Sequence, residues 1–185
     1  MSTVTFFAGR AVSLAVDIQA AIRDVPDFPK PGIMFKDITP VLLDPVLFGR
    51  VIEALAAPFA ADGVTHVVAI ESRGFILGAP VALRLGAGLV PMRKPGKLPA
   101  AREREDYALE YGSDALEMHT DAVAPGARVL IVDDVLATGG TAAAACRLVE
   151  RVGASVVGLS VLLTLEFLAG RDELAGRRLE TLVSV

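Results

Sequence analysis

The chain has 185 residues, which favours one domain with a sizeable core. Its net charge of −4 and pI near 5.2 argue against a nucleic-acid partner, which would call for a basic face. The longest uncharged run, residues 152–165, is too short to span a bilayer, so no membrane partner is expected. Cys146 is the single cysteine, which excludes an internal disulfide and favours a cytoplasmic location.

The N-terminal part of the chain is predicted to contain two helices separated by a proline-rich segment. Apolar residues recur at helical spacing over Val12–Val25. Three prolines then make Pro26–Gly32 an ordered segment that is neither helix nor sheet interior. Asp44 can cap a second helix that has Pro45 at its first position and runs to about Ala61.

The rest of the chain alternates strands and helices, which predicts a parallel sheet with helical crossovers. The expected strands are Val64–Ile70, Leu89–Met92, Val129–Val132, Val156–Leu163 and Leu179–Val183, and the expected helices are Phe75–Leu85, Thr141–Val152 and a short one around Glu166–Leu174. The charged segment Pro95–Asp106 predicts a mobile loop. A hairpin of Tyr107–Tyr111 and Ala115–His119 follows it. The expected fold class is therefore α/β, a Rossmann-like parallel sheet flanked by helices.

Residues Val129–Thr141, V-L-I-V-D-D-V-L-A-T-G-G-T, are the most informative segment. Four aliphatic residues predict a strand buried on both faces, and Asp133 and Asp134 follow where that run ends. Gly139 and Gly140 then lead into a helix whose first N–H groups can bind a phosphate. Because ligands bind at the carboxyl ends of strands in open α/β sheets, this pattern predicts a sugar-phosphate site.

Two other strand ends carry cations suited to phosphate groups. Arg73, in E-S-R-G-F, offers a planar fork of donors to a pyrophosphate. Arg93, Lys94 and Lys97 lie within five positions and can neutralise a pyrophosphate as it leaves. The two histidines, by contrast, fall in expected strands without metal-ligand spacing and are interpreted as structural.

Taken together, these segments resemble the adenine phosphoribosyltransferases of the type I phosphoribosyltransferase family. The residues that carry the resemblance are F-P-K-P-G-I-M-F-K-D-I-T-P-V-L from Phe28, E-S-R-G-F-I-L-G-A-P from Glu71, R-K-P-G-K-L-P from Arg93, Y-A-L-E-Y-G from Tyr107 and V-D-D-V-L-A-T-G-G-T from Val132. They span roughly residues 28–168. Glu71 departs from the Asp of many relatives but keeps the charge. The resemblance implies a small base-binding hood within about residues 1–40 and a flexible loop and hairpin within about residues 94–120.

The resemblance also implies a reaction and a set of site residues. Adenine and 5-phosphoribosyl 1-pyrophosphate (PRPP) would give AMP and pyrophosphate in a homodimer, with Mg²⁺ carried mainly by PRPP and no metal-ligating residue assigned. Glu110 would exchange a proton with the base, and Arg73 would be the second catalytic residue. The implied PRPP-binding residues are Arg73, Arg93, Lys94, Lys97, Asp133, Asp134, Ala137, Thr138, Gly139, Gly140 and Thr141, and the implied adenine-binding residues are Met34, Phe35, Lys36 and Leu165.

Two alternatives to this function stay open. A phosphoribosyltransferase for xanthine, hypoxanthine or guanine would need donors for O6 of the base, for which Lys36 is the clearest candidate near Phe35. A non-catalytic PRPP-sensing regulator would need a further module for its output, for which this chain has little room. Base specificity separates the first alternative from the adenine enzyme, and turnover separates the second.

Overall fold

The computed structural model of this chain describes residues 14–108 and 113–185. The chain divides into two compact units, with the boundary between Val51 and Ile52. Within the described ranges, every helix is too short or too polar to cross a membrane.

The first unit contains short helices and a two-stranded antiparallel hairpin. Residues 14–21 are helical (α1), and β1 (Arg23–Pro26) pairs with β2 (Met34–Asp37). Two helices follow, α2 (Thr39–Leu43) and α3 (Pro45–Ala56), the latter crossing the boundary. The predicted helix over residues 12–25 is therefore wrong at its end, because Pro26 cannot continue a helix and the residue before a proline prefers an extended backbone.

The start of α3 is confirmed, and its end comes earlier than predicted. Asp44 accepts hydrogen bonds from the backbone N–H groups of Val46 and Leu47, at 2.9 and 3.0 Å, as a helix cap does. The α-helix stops at Ala56, and a 3₁₀ turn, Ala57–Phe59, replaces the rest. Pro58 lies in that turn and has no N–H group for an α-helical bond.

Among the described residues, the second unit is built on a five-stranded parallel sheet with strand order β4-β3-β7-β8-β9. Its strands are β3 (His66–Ile70), β4 (Gly88–Met92), β7 (Arg128–Leu136), β8 (Ser155–Thr164) and β9 (Leu179–Ser184). The crossover from β3 to β4 is α4 (Arg73–Leu85), and the one from β7 to β8 is α5 (Gly140–Arg151). The predicted α/β fold, a parallel sheet flanked by helices, is confirmed.

Two elements of the sheet differ from the prediction. The strand β7 continues to Leu136 because its backbone keeps pairing with β8 beyond the aliphatic run, so Asp133 and Asp134 lie inside the strand and not after it. The predicted helix around residues 166–174 is two 3₁₀ turns, Glu166–Leu168 and Asp172–Leu174. Ala169, between them, has a φ of +51°, which a continuous helix does not allow.

The hairpin is confirmed but its strands are longer than predicted. It is formed by β5 (Arg102–Ala108) and β6 (Ser113–His119), so the expected loop ends before Arg102. The charged side chains of β5 gave this segment the sequence pattern of a loop. In the structure, Glu105 of this strand forms ion pairs with two arginines of α5, Arg147 and Arg151. The remaining hairpin predictions, at residues 109–112, lie outside the described residues.

The two histidines interpreted as structural lie in strands, as predicted, and the single cysteine is buried. His66 is in β3 and His119 is in β6. Cys146 lies within α5 and is fully buried, and burial raises the pKa of its thiol to about 11. A thiol with that pKa is protonated at neutral pH, which fits a small core residue and not a nucleophile.

Candidate functional site

A cavity of about 440 Å³ lies at the carboxyl ends of the central strands of the second unit. Parallel strands bring their ends to one edge of the sheet, which is where α/β proteins bind ligands. Most of the expected PRPP-binding residues line this cavity. Those residues are Arg73, Lys94, Asp133, Asp134, Ala137, Thr138, Gly139 and Thr141.

The carboxylate pair forms the anionic part of the cavity. Asp134 is buried, and its Oδ2 lies 2.6 Å from Nε of Arg73. Burial raises the pKa of Asp133 well above 3.8, and the charge of Asp134 raises it further. Burial also raises the pKa of Asp134, against the opposing effect of Arg73. Carboxylates that lack full solvation can accept hydrogen bonds from hydroxyl groups or stabilise a nearby positive charge.

A glycine allows the start of α4 to approach these acids. A Cβ atom at Gly74 would lie 2.9 Å from Oδ1 of Asp133 and 3.1 Å from the carbonyl oxygen of Val132. A side chain would therefore push α4 away from β7. Since Arg73 precedes this glycine, the close packing also determines where its guanidinium reaches Asp134.

The turn between β7 and α5 has the geometry of a phosphate cradle. Gly139 has a φ of +86°, and α5 begins at Gly140, so the first N–H groups of the helix face the turn. A Cβ atom at Gly139 would lie 2.4 Å from the carbonyl oxygen of Gly170, and one at Gly170 would lie 2.0 Å from that of Ala137. Gly170 thus packs directly against the backbone of the turn, where a side chain would not fit. No sequence pattern indicated it.

The side chain of Glu71, which is 8% exposed, holds two of the expected cations. Glu71 accepts a hydrogen bond from Nε of Arg93 at 3.1 Å and another from the ammonium group of Lys97. Burial raises the pKa of Glu71, but the hydrogen bonds from Lys97, the backbone and Arg93 outweigh it and leave the pKa below 4.5. Glu71 lines the cavity. Arg93 and Lys97 are outside the lining, and their contacts with Glu71 hold them beside it. The sequence analysis gave Glu71 no role.

Lys94, which lines the cavity, belongs to a polar network on the β5–β6 hairpin. Its ammonium group donates to the Tyr107 hydroxyl at 2.6 Å and forms an ion pair with Asp114. Burial lowers the pKa of Lys94, but the hydrogen bonds to Asp114 and Tyr107 raise it more. The Thr141 hydroxyl also contacts the Tyr107 hydroxyl, at 3.1 Å. Sequence reasoning missed Tyr107 and Asp114, although the hairpin prediction included both.

A second glutamate anchors the chain segment that carries these cations. Glu117 is 3% exposed, and its Oε2 accepts a hydrogen bond from the N–H of Gly96 at 3.0 Å. Nε of Arg102 lies 3.1 Å from the same oxygen. The backbones of Glu117 and Arg93 also exchange two hydrogen bonds, of 2.9 and 2.7 Å. The segment after β4 is therefore held against β6.

The expected adenine-binding residues of the first unit lie on β2. Met34 is half exposed, and the ring of Phe35 packs edge-on against Phe28, with centroids 5.0 Å apart and planes at 71°. Nζ of Lys36 lies 2.7 Å from Oδ1 of Asp24 on β1. The hairpin thus carries an aromatic pair beside a neutralised lysine.

The remaining three expected site residues are outside the cavity lining or outside the described residues. Leu165 follows β8, and its N–H donates to the carbonyl oxygen of Leu136 at 2.9 Å. Gly140 begins α5 between two lining residues. Glu110 lies outside the described residues.

The donors of the cavity suit a metal ion that a substrate brings with it. Within residues 14–108 and 113–185, no group of three or more His, Cys, Asp or Glu side chains is arranged to hold a metal. Asp133 and Asp134 nevertheless place two carboxylates at the cavity. Mg²⁺ commonly binds one or two carboxylates together with phosphate oxygens of a substrate, so these residues fit such an ion.

Sequence and structure comparisons find similar proteins over nearly the whole chain. A family model described as phosphoribosyl transferase domain matches residues 35–177. Adenine phosphoribosyltransferase of Myxococcus xanthus is 62% identical over 172 residues, which cover 93% of this chain and 94% of that protein. The enzyme of the same name from Thermobifida fusca is 57% identical over 168 residues, 91% of this chain and 96% of the relative.

Solved structures give the same result. The crystal structure of adenine phosphoribosyltransferase from Rhodothermus marinus has a TM-score of 0.91 and 55% identity, and covers 94% of this chain and 99% of that chain. The Saccharomyces cerevisiae enzyme, complexed with adenine and an imino-altritol bisphosphate, has a TM-score of 0.87 and 40% identity, with coverage of 92% and 99%.

Proposed function

Because this chain belongs to the adenine phosphoribosyltransferase family, we infer that it converts adenine and PRPP to AMP and pyrophosphate, a reaction of purine salvage. The observation that carries this conclusion is the cavity itself. It combines a carboxylate pair, a glycine turn at a helix N-terminus and cationic side chains at one edge of the sheet. A phosphorylated pentose with a pyrophosphate needs these three kinds of group.

Each part of PRPP binds to a different part of the site. The turn of residues 137–141 holds the 5′-phosphate through backbone N–H groups and hydroxyls. Asp133 and Asp134 accept hydrogen bonds from the ribose hydroxyls. As pyrophosphate leaves, positive charge develops on the sugar, and these buried carboxylates stabilise it.

The cations of the site bind the pyrophosphate. Arg73 and Lys94 line the cavity, and Glu71 holds Arg93 and Lys97 beside it. Negative charge on the pyrophosphate grows as the glycosidic bond breaks, so fixed cations there lower the barrier. PRPP enters with Mg²⁺, which, when bound, neutralises part of the pyrophosphate charge.

The adenine base is assigned to Met34, Phe35, Lys36 and Leu165. An aromatic face at Phe35 can stack on a purine, and the edge-on contact with Phe28 orients that ring. Glu110 is assigned to take up or return the proton of the base, a role that carboxyl groups serve in general acid–base catalysis. The assignments of Met34, Phe35 and Lys36 rest on the family motif G-I-M-F-K-D-I-T-P, and that of Glu110 rests on L-E-Y-G.

The chain forms a homodimer through an apolar surface that includes α4. Ile76 and Leu83 are seven residues apart on this helix, so they share one face, and they are 45% and 84% exposed. Leu89, on β4 at the edge of the sheet, is 45% exposed. Exposed apolar patches of this kind mark interfaces. Sedimentation at micromolar concentration should give a dimer, and Leu83→Glu should shift it to monomer; a monomeric wild-type protein would refute this assignment.

Residues 1–185 function as one phosphoribosyltransferase domain in the cytoplasm. The hood takes up about residues 1–40, and the flexible loop and hairpin about residues 94–120. A cytoplasmic location is supported by the single cysteine, which a reducing compartment leaves as a thiol. PRPP should slow proteolytic cleavage within residues 94–120, and cell fractionation should place the protein in the cytoplasmic fraction.

Base specificity is the decisive test of the proposed function. The protein is incubated with PRPP, Mg²⁺ and one base at a time, and nucleotide formation is followed by chromatography. AMP from adenine, with little product from hypoxanthine, guanine or xanthine, is the expected result. If nucleotide forms only from an oxopurine, that base and not adenine is the substrate. If PRPP binds but no base is turned over, the protein is a PRPP sensor.

A further inference from the structure

We propose that the Tyr107 hydroxyl is a positioning group that links the two phosphate-binding parts of the site. It joins the Thr141 hydroxyl, at the 5′-phosphate turn, to the Lys94 ammonium, at the pyrophosphate side, and Asp114 orients its proton. This inference rests on the proposed function. It assigns a role to two side chains, Tyr107 and Asp114.

The hydrogen-bonding capacity of the phenol determines the direction of each bond. A phenol has one proton to donate and two lone pairs that accept. Lys94 can only donate, at 2.6 Å, and an ionised Asp114 can only accept, at 3.3 Å. The second lone pair is left for Thr141, whose hydroxyl donates to Tyr107 at 3.1 Å. Every donor and acceptor position of the phenol is therefore used.

Binding of a phosphate changes this arrangement. Thr141 gives its one proton to Tyr107, so it can donate to a phosphate oxygen only after that proton turns toward the ligand. Tyr107 can then donate its own proton to the Thr141 oxygen, since a phenol both donates and accepts. Asp114 remains paired with Lys94. Occupation of the turn thus reverses one hydrogen bond and keeps Lys94 in place.

Tyr107 precedes the expected catalytic acid, Glu110, by three residues in the sequence. Tyr107 on β5 and Asp114 on β6 are cross-strand partners. The chain between them contains Glu110. Tyr107 is 5% exposed, so water has little access to its hydroxyl, and the loss of a hydrogen bond there costs free energy. The network therefore joins the PRPP cavity to the strand pair that leads to Glu110.

The test compares the KM for PRPP with the KM for adenine in Tyr107→Phe, which removes only the hydroxyl. Because the substitution removes three hydrogen bonds, two of them to the charged groups of Lys94 and Asp114, we expect the KM for PRPP to rise roughly tenfold. The KM for adenine should change less than about twofold, since the Tyr107 hydroxyl bonds to Thr141 and Lys94, which are assigned to phosphate, and to Asp114, and to no residue assigned to the base. Thr181→Val is the matched control, because it also removes a hydrogen bond between two hydroxyl groups. The hydroxyl of Thr181, on β9, lies 3.0 Å from that of Thr164.

A double-mutant cycle with Thr141→Val tests the link itself. If Tyr107 acts through Thr141, the rise in the KM for PRPP of the double variant is well below the product of the two single rises. A full product overturns the inference, as does a Tyr107→Phe variant with an unchanged KM for PRPP or with equal rises for both substrates. Wild-type protein without AMP formation would instead overturn the proposed function.

Asp114→Asn provides a second variant that keeps the size of the side chain. It should raise the KM for PRPP several-fold because Lys94 and the phenol lose their charged partner. Asp106→Asn on the same strand pair is its control, since Asp106 is exposed and pairs with Arg104. Equal effects of the two substitutions would show a general charge effect and overturn the assignment of Asp114.

Discussion

The substitution Asp133→Asn should stabilise the free protein and inactivate it. The charged form of Asp133 is unfavourable in the folded state because burial and the neighbouring Asp134 both raise its pKa. An asparagine has nearly the same shape, and its amide oxygen can keep the 2.9 Å hydrogen bond from the N–H of Asp134. The variant therefore loses the repulsion and keeps the packing.

The expected changes are large enough to measure. Relief of an unfavourable functional group typically gains ~0.5–2 kcal/mol of unfolding free energy. For a chain of this length, a gain of about 1 kcal/mol raises Tm by roughly 2–4 °C. Without the charge, the ribose loses stabilisation in the transition state, and kcat/KM for PRPP should fall by roughly 10²–10³-fold.

The pH dependence of stability separates this explanation from a packing effect. Asp133 binds its proton more tightly in the folded than in the unfolded state. Its protonation therefore adds stability that is complete below the ordinary value of 3.8 and is lost as pH rises through the raised folded pKa. Wild-type Tm should approach that of Asp133→Asn as pH falls through this range. The two should differ most at neutral pH.

Thermal unfolding across this pH range and PRPP titration of both proteins make the measurement. Asp106→Asn is the control, an exposed aspartate whose replacement should leave Tm within error. A destabilised Asp133→Asn, or a difference in Tm that does not change with pH, would refute the electrostatic account. An active variant would refute the assignment of Asp133 to the ribose.

Three further predictions concern the phosphate turn, the expected acid and the buried thiol. Gly170→Ala places a Cβ atom 2.0 Å from the carbonyl oxygen of Ala137, so PRPP binding should weaken and stability should fall by about 1–3 kcal/mol in thermal melts; Gly49→Ala, in open space on α3, should lose neither. Glu110→Ala should lower turnover about 10²-fold or more at an unchanged Tm, and a near-normal rate would remove its acid–base role. Cys146, with a pKa near 11, should resist iodoacetamide at neutral pH until urea unfolds the protein, so rapid alkylation of the native state would contradict its burial.

Much of the fold follows from local sequence signals because the central strands are nearly continuous aliphatic runs. Such runs indicate strands that are buried on both faces of a parallel sheet. The extent of β7 does not follow from them. Adjacent aspartates disfavour a strand, and the pairing of Asp133, Val135 and Leu136 with β8 shows that the strand continues. A contact between distant segments overrode the local preference.

The β5 strand shows the same limit for charged residues. Its sequence, R-E-R-E-D-Y-A, has no apolar alternation and reads as a loop. In the structure, Glu105 binds Arg147 and Arg151 on α5, and Tyr107 is buried. These partners come from a segment about forty residues away. The pattern within the strand carries no trace of them.

The site residues that sequence reasoning missed share one property, which is that they support other parts of the protein chain at the site. Gly170 supports the phosphate turn, Glu117 holds the segment of Gly96, and Glu71 orders two cations. Gly170 and Glu117 lie outside the predicted phosphate-binding patterns, and Glu71 begins one of them without being assigned to phosphate itself. Their roles depend on distances between segments, and these appear only when the chain is folded.

The arrangement of charges in the cavity explains why acids can belong to a site for a polyanion. Asp133 and Asp134 would repel a phosphate placed on them, and Arg73 offsets only part of that charge. The helix N-terminus at Gly140 and the cation at Lys94 offer favourable positions for phosphate. A ligand with phosphates at both ends of an uncharged ribose meets this pattern if its sugar lies on the acids. The same carboxylates that destabilise the free protein would therefore select the orientation of PRPP and stabilise the charge that forms on its ribose.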